Sequence, residues 1–196
     1  MSNLAVFASG EGTNFEAFVR ASENGDLAAR VVGLICNRPG AKALERAAKL
    51  GIAAALLTAK EFASPAEWNL AICGQLRKWN AEWIVLAGYT GLIGTSVLEA
   101  FPNRVVNSHP SLLPKYGGRG MYGAKVHAAV VAAREVETGI TVHLVNERFD
   151  EGPILAQKKV PVLPSDTAET LAQRLQEEER RFYPQVLQEL LTGRLK

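Results

Sequence analysis

The segment Val105-Val106-Asn107-Ser108-His109-Pro110 brings an amide and an imidazole to the end of a short apolar run. Residues two apart in extended backbone point to the same side, so Asn107 and His109 should share one wall while Ser108 faces away. Pro110 disfavours the helical region for the residue before it and so keeps His109 extended. An Asn side-chain NH2 can donate to a developing oxyanion, and an imidazole can move the proton that an attacking amine must lose; the pair suits acyl transfer to an amine. Asn and His ending a strand can equally satisfy loop backbone groups, and spacing alone leaves both readings open.

Two further stretches carry chemistry. Asp150 lies in Arg148-Phe149-Asp150-Glu151-Gly152-Pro153, which by itself is turn chemistry. Beside His109, its carboxylate would orient the imidazole, stabilise the imidazolium and help order a water for proton transfer. Ser9-Gly10-Glu11-Gly12-Thr13-Asn14 puts small residues where a helix begins, and unpaired N–H groups with the helix dipole would hold a phosphate there. The alternative is a tight glycine turn with Asn14 as cap. A dinucleotide fingerprint would need glycine at Phe15 and an acid at Asn37, and no P-loop lysine signature occurs, so a phosphomonoester is the preferred ligand. His143, mid-strand among apolar neighbours, and His127, on a helix of small residues, read as structural. The three histidines share no ligand-like spacing and Cys36 and Cys73 form no Cys-x-x-Cys pair, so no metal site is expected.

The elements that must position these residues alternate. Apolar runs at Leu4–Ser9, Val31–Cys36, Ile52–Leu57, Trp83–Ala87 and Arg104–Ser108 read as buried strands, with helices after Asn14, over Ala41–Leu50, from Ser64-Pro65-Ala66-Glu67 to about Asn80, and over Thr95–Phe101. This predicts a parallel sheet covered on both faces, with the loops after strands one, four and five converging on one crevice at the C-terminal strand ends. After a glycine-rich loop and a helix over Ala124–Ala133, Gly139–Val145 and Ile154–Val160 are separated by only Asn146–Pro153, a connection that permits an antiparallel pair and no helical crossover. Asp166-Thr167-Ala168-Glu169 reads as a capping box opening a last helical stretch, interrupted near Pro184 and closed by Gly193. The fold class is therefore a single α/β domain over 1–196, Rossmann-like and mostly parallel, with an antiparallel C-terminal extension and helices on both faces.

The 196 residues are 47% hydrophobic and 21% charged with a formal net charge of +2, ordinary for one globular domain with a full core. There is no membrane-length apolar run, no signal-peptide core and no Lys/Arg cluster interleaved with aromatics, so small molecules are the expected partners rather than membrane or nucleic acid. A cytoplasmic location is expected, and no feature specifies an oligomeric state.

Asn107-Ser108-His109-Pro110-Ser111-Leu112-Leu113-Pro114, with Asp150 downstream, Ser9-Gly10-Glu11-Gly12-Thr13-Asn14 at the start, Ile84–Tyr89 before the catalytic strand, and Tyr183-Pro184 and Gly193-Arg194-Leu195-Lys196 at the end, resembles the phosphoribosylglycinamide formyltransferase family of folate-dependent formyltransferases. The resemblance spans essentially the whole chain. It implies transfer of a formyl group from 10-formyltetrahydrofolate, a co-substrate, to the amine of 5′-phosphoribosylglycinamide, with Asn107, His109 and Asp150 catalytic and no metal. It further implies that Gly10, Glu11, Gly12, Thr13 and Asn14 hold the substrate phosphate and Glu179 its ribose, while the folate lies along Tyr89, Thr90, Gly91, Leu92 and Ile93, Asn107, and Asn146, Glu147, Arg148, Phe149 and Asp150. Three departures stand out. Glu11 and Gly91 replace the Asn and Arg usual in relatives, and Gly117–Gly123 replaces a histidine-bearing loop, with Arg119 either a substitute anion contact or an exposed charge. Glu11 should point to solvent, so Glu11→Asn should leave or improve substrate affinity. Related classes sharing parts of this pattern are sugar-amine formyltransferases, formyltetrahydrofolate deformylases, methionyl-tRNA formyltransferases and, without catalysis, nucleotide-binding α/β modules.

Overall fold

The computed structural model describes residues 1–195; Lys196, the last residue of the C-terminal tetrad quoted above, lies outside the described residues. Seven strands form one sheet in the order β3-β2-β1-β4-β5-β6-β7. They are β1 Ser2–Ala8, β2 Ala29–Cys36, β3 Ala54–Leu56, β4 Trp83–Leu86, β5 Val105–His109, β6 Glu137–Leu144 and β7 Ile154–Pro161. The first five are mutually parallel, and β6 and β7 are antiparallel, as the short 146–153 connection requires. The chain winds outward from β1 to β3, then returns to β4 and winds the other way. The order reverses between β1 and β4, where loops on the two strands diverge and leave a crevice.

Helices α1 Thr13–Glu23, α2 Lys42–Lys49, α3 Pro65–Lys78, α4 Thr95–Ala100, α5 Ala124–Ala132 and α6 Ala168–Leu191 cover both faces. Phe15 and Phe18 of α1, Ala43 and Ala47 of α2, and Tyr183, Val186 and Leu187 of α6 pack on Leu4, Val6 and Val106. Ile72 and Leu76 of α3 and Val97 of α4 pack on the alternate strand residues Ala5, Phe7, Ile84 and Val105. Strands buried on both faces read as continuous apolar runs, which is why alternation was absent from the sequence of β1 and β4.

Several boundaries differ from expectation by a residue or two, and three differences have a tertiary cause. β5 does not stop before His109: β4 pairs only as far as Asn107, but β6 continues the ladder through Ser108↔Val142 and His109↔Thr141. The last helix is not interrupted near Pro184 but runs through it to Leu191. Its apolar face, with Tyr183, Pro184, Val186 and Leu187 buried, outweighs the backbone hydrogen bond that proline cannot donate. Its capping box is shifted by one residue to Thr167 and Thr170, because Asp166 is engaged by Arg174 and by the Leu163 N–H. The Ser64 cap and Pro65 start of α3 are as read, with Ser64 accepting from the Glu67 N–H at 3.2 Å.

Candidate active site

A cavity of about 690 Å³ opens at the C-terminal ends of β1, β4 and β5. It is lined by Gly10–Asn14, Tyr89–Ile93, Asn107, His109, Asn146, Arg148, Phe149, Asp150 and Glu179, so all the sequence-predicted site residues but one meet in a single space. The exception is Glu147. Asn146 Oδ1 accepts from the Arg148 N–H at 2.9 Å, and this Asx turn leaves Glu147 exposed outside the lining.

Strand alternation places Asn107 and His109 on the face of β5 that carries Val105, and Ser108 on the face that carries Val106. His143 stands opposite Asn107 in the antiparallel register. His143 Nδ1 lies 2.9 Å from the Leu144 carbonyl, which can only accept, so Nδ1 carries the proton and Nε2 is an acceptor. Asn107 Nδ2 donates to that Nε2 at 3.1 Å, which fixes the amide with its NH2 toward His143 and its second N–H available. Burial holds the His143 pKa below its ordinary value, against the opposing pull of the Leu144 carbonyl and Asp150.

His109 is 4% exposed. Its Nε2–H donates to the Tyr116 carbonyl at 2.8 Å, and its Nδ1 lies 3.4 Å from Asp150 Oδ2. Asp150 Oδ1 is 3.7 Å from His143 Nε2, so the carboxylate sits between the two imidazoles. Asp150 has φ 58°, and Oδ2 also accepts from the Gly118 N–H at 3.0 Å. The turn that aims it depends on Gly152, where a Cβ would run into the Leu144 carbonyl. Behind His109, Thr141 Oγ1 donates to the Ser111 carbonyl at 2.6 Å and accepts from the Leu113 N–H at 3.0 Å, which fixes the Pro110–Leu113 segment.

On the opposite face of β5, Ser108 and Asn14 flank Glu179 of α6. Burial pushes the Glu179 carboxyl above the usual carboxylate range, and Ser108 and Asn14 act in the opposite sense. Asn14 Oδ1 is buried with no donor among the described residues. The Tyr183 hydroxyl, one turn on, shares its hydrogen between the Leu86 and Val106 carbonyls at 3.2 and 3.0 Å and pins α6 to β4 and β5.

The loops after β1 and β4 are tied by Ser9, whose Oγ accepts from the Thr90 N–H at 2.9 Å and donates to Asn37 Oδ1 at 2.6 Å. Asn37, where a dinucleotide enzyme would place an acid, thus anchors Ser9. Gly12 caps α1 with φ 73°, and a Cβ there would meet Ala43 Cα at 2.7 Å. The Glu11 carboxylate is 62% exposed, on the outside of the loop, 3.1 Å from Lys42 Nζ. At Gly91 a Cβ would meet the Tyr89 ring at 2.7–2.8 Å, so Tyr89 fills the space beneath this loop. Arg119 is both exposed and part of the lining.

The sequence reading missed His143, His127, Ser108 and Gln176 as lining residues. The antiparallel β5–β6 register brings His143 into the site, opposite Asn107. His127 is 3% exposed, with Nδ1 lacking a partner among the described residues.

An amide donor, an imidazole and a carboxylate, facing a glycine loop at a helix start, are groups that can support acyl transfer beside a bound anion. Residues 2–187 match the formyl transferase family. The phosphoribosylglycinamide formyltransferase of Bacillus subtilis is 42% identical over 193 residues, covering 97% of this chain and 95% of that protein. The crystal structure of glycinamide ribonucleotide transformylase 1 from Geobacillus kaustophilus is 44% identical with a TM-score of 0.91, covering 97% of this chain and 99% of that one. That of phosphoribosylglycinamide formyltransferase from Bacillus halodurans is 38% identical with a TM-score of 0.90, covering 97% and 95%. The chain belongs to the formyl transferase family, and within it to the phosphoribosylglycinamide formyltransferases.

Proposed function

We infer that the chain transfers the formyl group of 10-formyltetrahydrofolate to the amine of 5′-phosphoribosylglycinamide. The observation that carries this reading is the junction of Asn107, His109 and Asp150 with the glycine loop across one cavity. The amine nitrogen bonds to the formyl carbon, and the carbonyl electron pair moves onto oxygen. The second N–H of Asn107 meets that oxyanion, which also takes the place of the Tyr116 carbonyl as acceptor of the His109 Nε2–H. Asp150 stabilises the His109 ring and, through a water, passes the amine's proton to the folate N10 as the carbon–N10 bond breaks and the carbonyl re-forms. No covalent enzyme intermediate is formed.

The amides of Gly10–Asn14 hold the phosphate, and Glu179 with Asn14 Oδ1, which has no partner among the described residues, takes ribose hydroxyls. Exposed Leu92 and Phe149 offer an apolar rim for the aromatic folate, along Tyr89–Ile93 and Asn146–Asp150. Small molecules are the partners. No described helix is long and apolar enough to cross a membrane, and buried Cys36 and Cys73 suit a reducing compartment, the cytoplasm. His109→Asn lowers kcat by roughly 10²–10⁴-fold with little change in either KM, as expected of a group acting in the transition state. Near-normal kcat would exclude the assignment. Asp150→Asn also lowers kcat and changes the pH–rate profile; an unchanged profile would separate it from His109.

A further inference from the structure

We propose that Lys42 and Arg46 of α2 are positioning residues for the phosphate loop: they hold its outer atoms so that its amides, and not the Glu11 carboxylate, meet the phosphate. The inference rests on the phosphate reading above. It begins with two carbonyls. The Gly10 carbonyl accepts from the Ala43 N–H at 3.0 Å, and the Glu11 carbonyl accepts from Arg46 Nε–H at 2.7 Å. A trans peptide puts its carbonyl oxygen and the following N–H on opposite sides. With both carbonyls tied to α2, the Glu11 and Gly12 amides turn away from α2. Neither amide has a protein acceptor among the described residues, and both residues line the cavity.

Arg46 does more than hold one carbonyl. Its guanidinium also pairs with Glu16 of α1, so one side chain fixes the loop and the first turn of the helix that follows it. The loop packs so closely on α2 that a Cβ at Gly12 would meet Ala43 Cα at 2.7 Å. Lys42 acts on charge. A carboxylate in a loop that receives a phosphate dianion is a like charge, and Lys42 Nζ holds Glu11 Oε1 at 3.1 Å on the α2 side. Neither Lys42 nor Arg46 lines the cavity, so both act through the loop rather than on substrate.

The test follows the Glu11, Gly12 and Thr13 amide signals by NMR while inorganic phosphate and then ribose 5-phosphate are added, with KM for phosphoribosylglycinamide measured in parallel. In the wild-type enzyme these signals shift; if they do not, the phosphate-loop reading itself fails, separately from the role of α2. Lys42→Met then weakens phosphate binding and raises that KM about 5-fold, the upper range for an exposed pair. Adding Glu11→Gln to Lys42→Met restores both, whereas Lys49→Met, the same charge loss at the far end of α2, changes neither. Arg46→Met raises the KM about 10-fold and reduces the amide shifts, while the folate KM stays constant. Unchanged affinity in Lys42→Met and Arg46→Met would overturn the proposal. So would a loss in Lys42→Met that Glu11→Gln does not restore, since that would assign Lys42 a general electrostatic effect.

Discussion

In the proposed reaction Asn107 presents an N–H to the oxyanion only if its amide is not flipped, and the hydrogen bond to His143 holds that orientation. The Leu144 carbonyl sets the tautomer, leaving Nε2 as the acceptor for Asn107 Nδ2. Protonation would turn this acceptor into a donor facing an NH2 group. Burial depresses the His143 pKa, so the neutral ring persists through neutral pH and the orientation is lost only on the acid side. His143→Gln, which keeps an acceptor but cannot titrate, should retain more activity than His143→Phe and flatten the acid limb of kcat. His143→Phe should lower kcat roughly 10-fold, less than removal of an oxyanion donor outright. Equal kcat in the two variants would remove His143 from this role. The sequence made Asn107 and His109 legible because β alternation and Pro110 are local effects. His143 was read as a core histidine because its neighbours in sequence are apolar; its partner lies across the sheet, and only the register brings it opposite Asn107.

The loop between β1 and α1 shows how a connection is specified by what packs against it. Gly12 combines φ 73° with a close approach of Ala43, so a side chain there is strained twice. Gly12→Ala should cost about 1–3 kcal/mol of stability, measured by chemical denaturation, and raise the KM for the phosphate-bearing amine while leaving the folate KM unchanged. A variant with wild-type stability and KM would show that the loop tolerates rearrangement. The strand–helix alternation and the convergence of the loops after β1, β4 and β5 were legible, because they follow from apolar runs and the chirality of parallel connections. The passage of α6 through Pro184 was not, since proline's local penalty is visible in sequence and the compensating burial of Tyr183, Val186 and Leu187 is tertiary. Glu147 was misplaced for a similar reason: a two-residue Asx turn decides which loop side chains face inward.

Across the whole molecule, the reversal between β1 and β4 sets the Gly10–Asn14 loop, the proposed anion site, on one side of the crevice and Asn107, His109 and Asp150 on the other, with the space reached from both faces of β5. The same burial that shapes this cavity links folding to pH. Burial lowers the pKa of both His127 and His143, with His109 adding to the effect at His127. Their folded values lie below the ordinary value near 6.5, so the unfolded chain binds more protons as pH falls. Their stabilising contribution is therefore complete above about pH 6.5 and is lost as pH drops through the folded values. Denaturation midpoints should fall between about pH 7.5 and 5.5, and less steeply in His127→Phe; the same slope in both would contradict the linkage. The function itself is decided by following absorbance as 10-formyltetrahydrofolate loses its formyl group, with no acceptor, with phosphoribosylglycinamide, and with a phosphorylated amino-sugar. Turnover that requires phosphoribosylglycinamide is the predicted result, because the cavity joins the proposed formyl-transfer residues to the proposed phosphate loop. Loss of formyl without an acceptor, or preference for the amino-sugar, would contradict it.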